Sequence, residues 1–322
     1  MSNIKQAIQS FLFHCRYEKN LSSKTLEAYQ SDLNQFLTFL EPKPEVGKLS
    51  DIDKVILRGY LRELSRWKPK TIKRKIACLK AMFNYLEFED QIAINPFRKM
   101  RIRIKEPRNL PVVMEKSEVK KLLLSAYRAK EKIESESYSY EEVVRDIAVL
   151  ELLFSTGIRV SELCSLRPES IELKIGLVKV HGKGNKERVI QIFDREVKEA
   201  LLQYKKVFST RINKVGFFFI NRLGNPLSDQ SVRNMIRKYA NHARLSKHIT
   251  PHTFRHTFAT LLLEEDVDIK YIQHFLGHSS IMTTQIYTHV NKRKQGKILK
   301  AKHPRQQFQL GWMKGWFSYP NA

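Results

Sequence analysis

Apolar residues recur at helical spacing four times within the first 95 residues, and this repetition constrains the fold more than any other feature. Ile4, Ile8, Phe11, Leu12 and Cys15 form one stripe. Ser22 or Ser23 can cap a second helix, whose stripe runs through Leu26, Tyr29, Leu33, Phe36, Leu37 and Leu40 before a proline-containing loop at 41–47. A third helix fits 51–64. A fourth fits 70–88, with Ile72, Ile76, Leu79, Phe83 and Leu86 along one side. A one-sided apolar stripe has to be covered, so four in succession imply a small helical bundle.

The remaining residues are enough for a second domain, since the chain has 322. Helices are expected at 118–132, with Ser117 as cap, and at 141–157, stopped by Gly157. A polar excursion at 133–142 precedes the latter. A short helix follows over 158–166. Residues 177–193 alternate as two strands around Gly182-Lys183-Gly184-Asn185, a hairpin signal. Helical patterns return at 194–206, 228–244, around His252, at 268–277 and around Tyr287. The expected fold is mostly α with one small antiparallel sheet.

Charge narrows the partners. There are 58 Lys+Arg against 33 Asp+Glu, a net charge of +25. The excess is spread over the chain: residues 1–105 carry 21 basic and 11 acidic groups, leaving 37 and 22 for the rest. Basic excess in both parts suits a polyanion such as nucleic acid. On the fourth helix, Lys70, Lys73, Arg74 and Lys80 form a basic face suited to phosphates. The basic stretch 96–111 contains Arg101, Arg103 and three prolines, and reads as an extended linker that can follow a phosphate backbone. No apolar run approaches 18 residues, and the first twenty residues lack a signal-peptide layout. The three cysteines are widely spaced with no C-x-x-C, so neither a disulfide framework nor a cysteine zinc site is expected. A soluble intracellular protein without membrane contact follows as an expectation.

The segment 250-TPHTFRHTFAT-260 places His252 and His256 four residues apart with Arg255 between them. A zinc protease helix would need glutamate after the first histidine; Thr253 stands there, and no third ligand is suggested by spacing. No metal is expected. Phosphate suits the segment better. Thr250 is a good N-cap and Pro251 a good first residue, so His252 lies in a first helical turn, where free N–H groups favour an anion. Arg255 lies on a similar face and its planar fork can bind two phosphate oxygens.

Five segments occur in order: TGIRVSEL (156–163), HGKGNKER (181–188), HTFRHTFAT (252–260), LGHSS (276–280) and TTQIYTHV (283–290). Together they resemble the tyrosine recombinase (phage integrase) family, most closely its compact Xer-type members, and the resemblance covers nearly the whole chain. It implies a four-helix, SAM-like core-binding domain at 1–95, a basic linker at 96–111 and a catalytic domain at 112–302, the two domains clamping DNA. A tail at 303–322 remains, read either as a contact between protomers or as a disordered end. It also implies catalytic roles for Arg159, Lys183, His252, Arg255 and His278, with Tyr287 as nucleophile and Glu162 supporting Arg159. The implied chemistry is DNA cleavage and rejoining through a 3′-phosphotyrosyl bond. That bond conserves the energy of the broken one, so no cofactor is expected, and no phosphate-binding G-x-x-x-x-G-K-[ST] motif occurs. The implied partner is double-stranded DNA with an inverted-repeat-type site. With one nucleophile per chain, exchange of two duplexes implies a homo- or heterotetramer, located at the nucleoid in the cytoplasm. Whether dimer resolution, integration and excision, or inversion is served stays open, as does the need for an accessory or motor protein. The alternatives are a type IB topoisomerase, which uses a similar residue set, and a DNA-binding accessory protein without chemistry.

Overall fold

The structure is a computed structural model that describes residues 2–43, 46–106, 110–134, 137–182 and 187–277. It divides into two compact units, Met1–Arg108 and Asn109–Ala322.

In the N-terminal unit, helix α1 (Ser2–Phe13) runs into a π-helical turn at His14–Glu18. Helices α2 (Ser23–Leu40), α3 (Lys54–Leu64) and α4 (Pro69–Phe88) follow. The caps are local in origin. Asp53 accepts from the backbone N–H groups of Val55 and Ile56, starting α3, and Pro69 opens α4, where a missing N–H costs nothing. The expected stripes meet in one core, with Ile4, Ile8, Phe11, Leu33, Phe36, Leu79 and Phe83 all buried.

The stretch following α4 differs from the extended linker expected there. Asn95 caps a 3-10 turn at Pro96–Lys99, and Phe97 is buried in the bundle core with its ring 5.7 Å from that of Phe83. Met100 and Ile102 pack against the same core, and Arg98 pairs with Glu87 at 2.9 Å. Proline reads as a chain breaker, but at the first position of a turn it is compatible with this compact exit.

In the second unit, α5 spans Lys116–Glu131. Its cap is Glu115, not Ser117: the Glu118 carboxylate accepts from Glu115 N–H at 2.8 Å. Helix α6 (Tyr138–Thr156) begins three residues before the expected start, because Ser137 caps it by accepting from Tyr140 N–H. Much of the polar excursion is thus its first turn. Gln203 donates to the Tyr140 hydroxyl at 2.7 Å, and Arg211 donates one hydrogen bond to each carboxylate oxygen of Glu141. Every residue from Val143 to Leu153 is buried, as for a helix enclosed on all sides. Helix α6 is the axis of this unit, contacting α5, α8 (Arg195–Val215), α9 (Asp229–His242) and α10 (Pro251–Glu264).

Short α7 (Val160–Cys164) leads into a three-stranded antiparallel sheet in the order β1 (Ile171–Glu172), β2 (Leu177–His181), β3 (Glu187–Gln191). In the β2–β3 register Val178 faces Ile190 and Val180 faces Arg188. The last described helix, α11 (Ile269–Leu276), rests on α10 through Ala259, Ile272 and Leu276. Mostly helical with one small antiparallel sheet is therefore the observed architecture. The Lys183 turn, the segment around Tyr287 and the 303–322 tail lie outside the described residues. Among those residues no helix is long and apolar enough to cross a membrane.

Candidate active site

The expected cap of α10 is present. The Thr250 hydroxyl accepts from Thr253 N–H at 3.2 Å, the Thr253 hydroxyl accepts from Thr250 N–H at 3.1 Å, and Pro251 is the first helical residue. His252 then falls in the first turn and is exposed. Its ring lies 6.4 Å from that of His256, one turn on and half-buried. Burial, and after it the charges of His252 and Arg255, push His256 down to about 4, so it is neutral at physiological pH.

Arg255 is only 4% exposed. It donates to the carbonyl of Gly157 at 2.8 Å and to that of Leu276. These are the C-terminal ends of α6 and α11, where helix carbonyls lack partners and carry partial negative charge. Both helices end in left-handed glycines, Gly157 at φ 59° and Gly277 at φ 61°. A β-carbon at Gly157 would lie 2.7 Å from Phe258 and 2.9 Å from Leu276, so only glycine fits that junction.

Arg159 follows two residues after Gly157 as the N-cap of α7, its side chain 33% exposed. It donates to the Gly277 carbonyl at 3.0 Å, next to the carbonyl that Arg255 holds. It also donates to Glu162 at 2.7 Å. Two guanidiniums thus converge on adjacent carbonyls, from helices far apart in sequence.

Glu162 is 5% exposed. Burial pushes its carboxyl up, but hydrogen bonds from Arg188 and from the Arg159 backbone outweigh this and hold it below the usual carboxylate range. Arg188 was not singled out by sequence reasoning. It reaches Glu162 from β3 with both terminal nitrogens, at 2.9 and 2.7 Å, and donates through Nε to the Phe275 carbonyl at 3.1 Å. The available signal was a charged residue at an inward position of the hairpin: Arg188 shares its strand face with buried Ile190.

Three guanidiniums against one carboxylate leave a formal excess of two positive charges around the end of α11. That helix buries only Ile272 and Leu276, worth roughly 3–6 kcal/mol together. Charge-assisted bonds at its end, about 1.5–3 kcal/mol each, are of comparable weight. The arginines therefore hold the C-terminal end of α11, from Phe275 to Gly277, in place. The next residue is His278, which with Lys183 and Tyr287 lies outside the described residues. Among the described residues no group of three or more His, Cys, Asp or Glu could hold a metal ion.

The cations singled out in the N-terminal unit separate into two kinds. Lys70, Lys73 and Arg74 are exposed along α4, as are Arg101 and Arg103 beyond it, whereas Lys80 is half-buried with its ammonium 5.9 Å from the Phe97 ring. Lys73 is paired with Glu106 at 2.8 Å. Arg74 is paired with Asp32, a fully buried carboxylate that also takes buried Lys75 at 2.8 Å. Neither Asp32 nor Lys75 was singled out, although Asp32 lies on the stripe between Tyr29 and Phe36 and Lys75 between Ile72 and Leu79, because their pairing joins two helices and no local pattern reports it.

Residues 113–294 match the phage integrase family, and residues 8–90 match the phage integrase N-terminal SAM-like domain. A tyrosine recombinase of Agathobacter rectalis is 46% identical over 309 residues, which is 96% of this chain and 99% of that protein. Tyrosine recombinase XerC of Thermodesulfovibrio yellowstonii is 39% identical over 312 residues, 94% of this chain and 98% of its own. A crystal structure of the XerH site-specific recombinase bound to difH substrate in a pre-cleavage complex aligns with a TM-score of 0.70 at 25% identity, covering 89% of this chain and 81% of that one. The topoisomerase and accessory-protein alternatives are not favoured by these likenesses. With one family model spanning more than half its length and relatives this similar almost end to end, the chain belongs to the phage integrase family and is a tyrosine site-specific recombinase.

Proposed function

We propose that Arg159 and Arg255 hold the two non-bridging oxygens of a scissile phosphate in double-stranded DNA, and that Tyr287 attacks that phosphorus. The observation that carries this reading is the convergence of the two guanidiniums on adjacent carbonyls, Leu276 and Gly277, at the end of α11. Negative charge gathers on the non-bridging oxygens as the five-coordinate state forms, and fixed donors stabilise it without reorganising. Glu162 supports Arg159.

The proton balance assigns the other roles. The Tyr287 phenol loses its proton to His252, which is exposed in the first turn of α10. The phenolate oxygen bonds to phosphorus and the P–O5′ bond breaks. Lys183 protonates the departing 5′-oxygen, and His278 donates to a non-bridging oxygen. Rejoining reverses these steps and requires no cofactor. Lys70, Lys73, Arg74, Lys80, Arg101 and Arg103 contact DNA outside the reaction centre, and residues 112–302 carry the chemistry. One nucleophile per chain makes four protomers the unit that exchanges two duplexes.

The test is a nicked suicide duplex of the target site, incubated with enzyme in EDTA and resolved in SDS. Wild type forms a covalent adduct and Tyr287→Phe forms none. An adduct that persists in Tyr287→Phe would refute the assignment of the nucleophile.

A further inference from the structure

Arg188 lies on the inward face of the β2–β3 hairpin, opposite Val180 and two residues from buried Ile190. A strand packed on a core ordinarily carries an apolar side chain there. Its side chain, 7% exposed, instead joins three separate elements through the guanidinium. It grips both carboxylate oxygens of Glu162 on α7, and its Nε donates to Phe275 near the end of α11. It also abuts Gly277: a β-carbon there would lie 3.0 Å from an Arg188 terminal nitrogen and 3.1 Å from its Cδ.

The division of bonds on Glu162 is unequal. Arg188 takes it with a two-pronged fork, while the Arg159 side chain gives a single bond to Oε1. A forked guanidinium–carboxylate pair is the stronger arrangement. Glu162 is thus neutralised chiefly by Arg188, and Arg159 is oriented by the carboxylate without being the group that cancels its charge.

We propose that Arg188 is a positioning residue of the active site: it neutralises buried Glu162 so that the charge of Arg159 remains available to the scissile phosphate, and it ties the hairpin carrying Lys183 to the end of α11. This rests on the reading of Arg159 as a phosphate-holding residue. Without Arg188, the full charge of Glu162 falls on Arg159, and the hairpin loses its polar tie to the segment that leads into His278.

The experiment uses the full chain and the suicide duplex, measuring the single-turnover rate of adduct formation at saturating DNA, DNA affinity and thermal stability. Arg188→Gln is expected to slow adduct formation by about 10–100-fold with DNA affinity within about twofold, because the group acts on the transition state. Arg188→Lys, which keeps the charge and loses the fork, falls between it and wild type. The decisive readout is the double variant Arg188→Gln/Glu162→Gln. Removing the carboxylate's charge restores at least about fivefold of the lost rate, a coupling that simple loss of packing does not produce. A wild-type rate in Arg188→Gln, or a folded double variant no faster than Arg188→Gln, overturns the proposal. If Arg188→Gln does not fold, Arg188→Lys at wild-type rate overturns it as well. Arg159→Ala separates the two levels. If Arg159→Ala is slow while Arg188→Gln is unimpaired, only the role of Arg188 falls; a wild-type rate in Arg159→Ala removes the reading beneath it.

Discussion

His256 sits on α10, one turn from His252 and beside Arg255. Burial holds it neutral, with its titration pushed down to about 4 from an ordinary 6.5. In the unfolded chain the same imidazole takes up a proton as pH falls through 6.5, whereas the folded protein refuses it until about 4. Protonation therefore favours unfolding across that window, and stability falls as pH drops from about 6.5 to 4. A displacement of this size corresponds to about 3 kcal/mol at most, and the ring's residual exposure reduces it to about 2 kcal/mol. Glu162 adds to the acid side. Its folded value lies below the ordinary one, so its contribution is complete above about 4.5 and is lost as pH falls through the folded value. Denaturant unfolding at pH 7 and pH 4.5 is expected to show this loss in wild type. His256→Gln is expected to show a shallower decline over the same interval; an identical decline would remove His256 as its source.

At the scale of elements, α10 is where reading the sequence and folding the chain agree most closely. Thr250, Pro251 and Thr253 form a cap from local chemistry alone, which is why the start of that helix could be read directly. The same holds for α6 at Gly157 and for the paired strands, since turn residues and alternation are local signals. The role of Arg188 was missed for the opposite reason. A guanidinium on an inward strand position is satisfied only by partners on α7 and α11, and no local pattern reports them. The first turn of α6 was hidden because Ser137, Tyr138 and Glu141 look like loop, although the Gln203–Tyr140 bond and the Glu141–Arg211 pair tie that turn to α8. The six family positions came from ordered motifs rather than from periodicity. Of these, Arg159, His252 and Arg255 lie within the described residues. The cap of α10 also predicts a functional consequence. Thr250→Ala removes a bond worth about 1 kcal/mol and loosens the turn that carries His252. A modest fall in melting temperature and a several-fold slower adduct formation are expected, with Thr250→Ser close to wild type in both. A rate unchanged in Thr250→Ala would mean that the cap does not position His252.

For the whole molecule, a net charge of +25 makes DNA affinity strongly dependent on salt. Not every cation contributes equally, because some are already neutralised within the protein. Lys73 is held by Glu106 at 2.8 Å, and that bond and the charges of Lys73 and Lys70 lower the Glu106 carboxyl below its usual range. Arg74 is held by buried Asp32, which cannot be withdrawn without stranding Lys75. The Lys73–Glu106 pair is exposed, and exposed pairs contribute little to folding, so it can exchange for a phosphate. In that exchange Glu106 competes with DNA for Lys73. Glu106→Gln is accordingly expected to tighten binding of the full chain to its target duplex by a few-fold, with unchanged thermal stability. It also raises by about 0.9 the steepness of log affinity against log salt if Lys73 then makes a full phosphate contact. Lys73→Ala does the reverse, and in its background Glu106→Gln has no further effect on the slope. If Glu106→Gln instead leaves both affinity and slope unchanged while Lys73→Ala weakens binding, Lys73 already exchanges freely in the wild type. If neither substitution alters the slope, the basic face of α4 at Lys73 lies away from the phosphates.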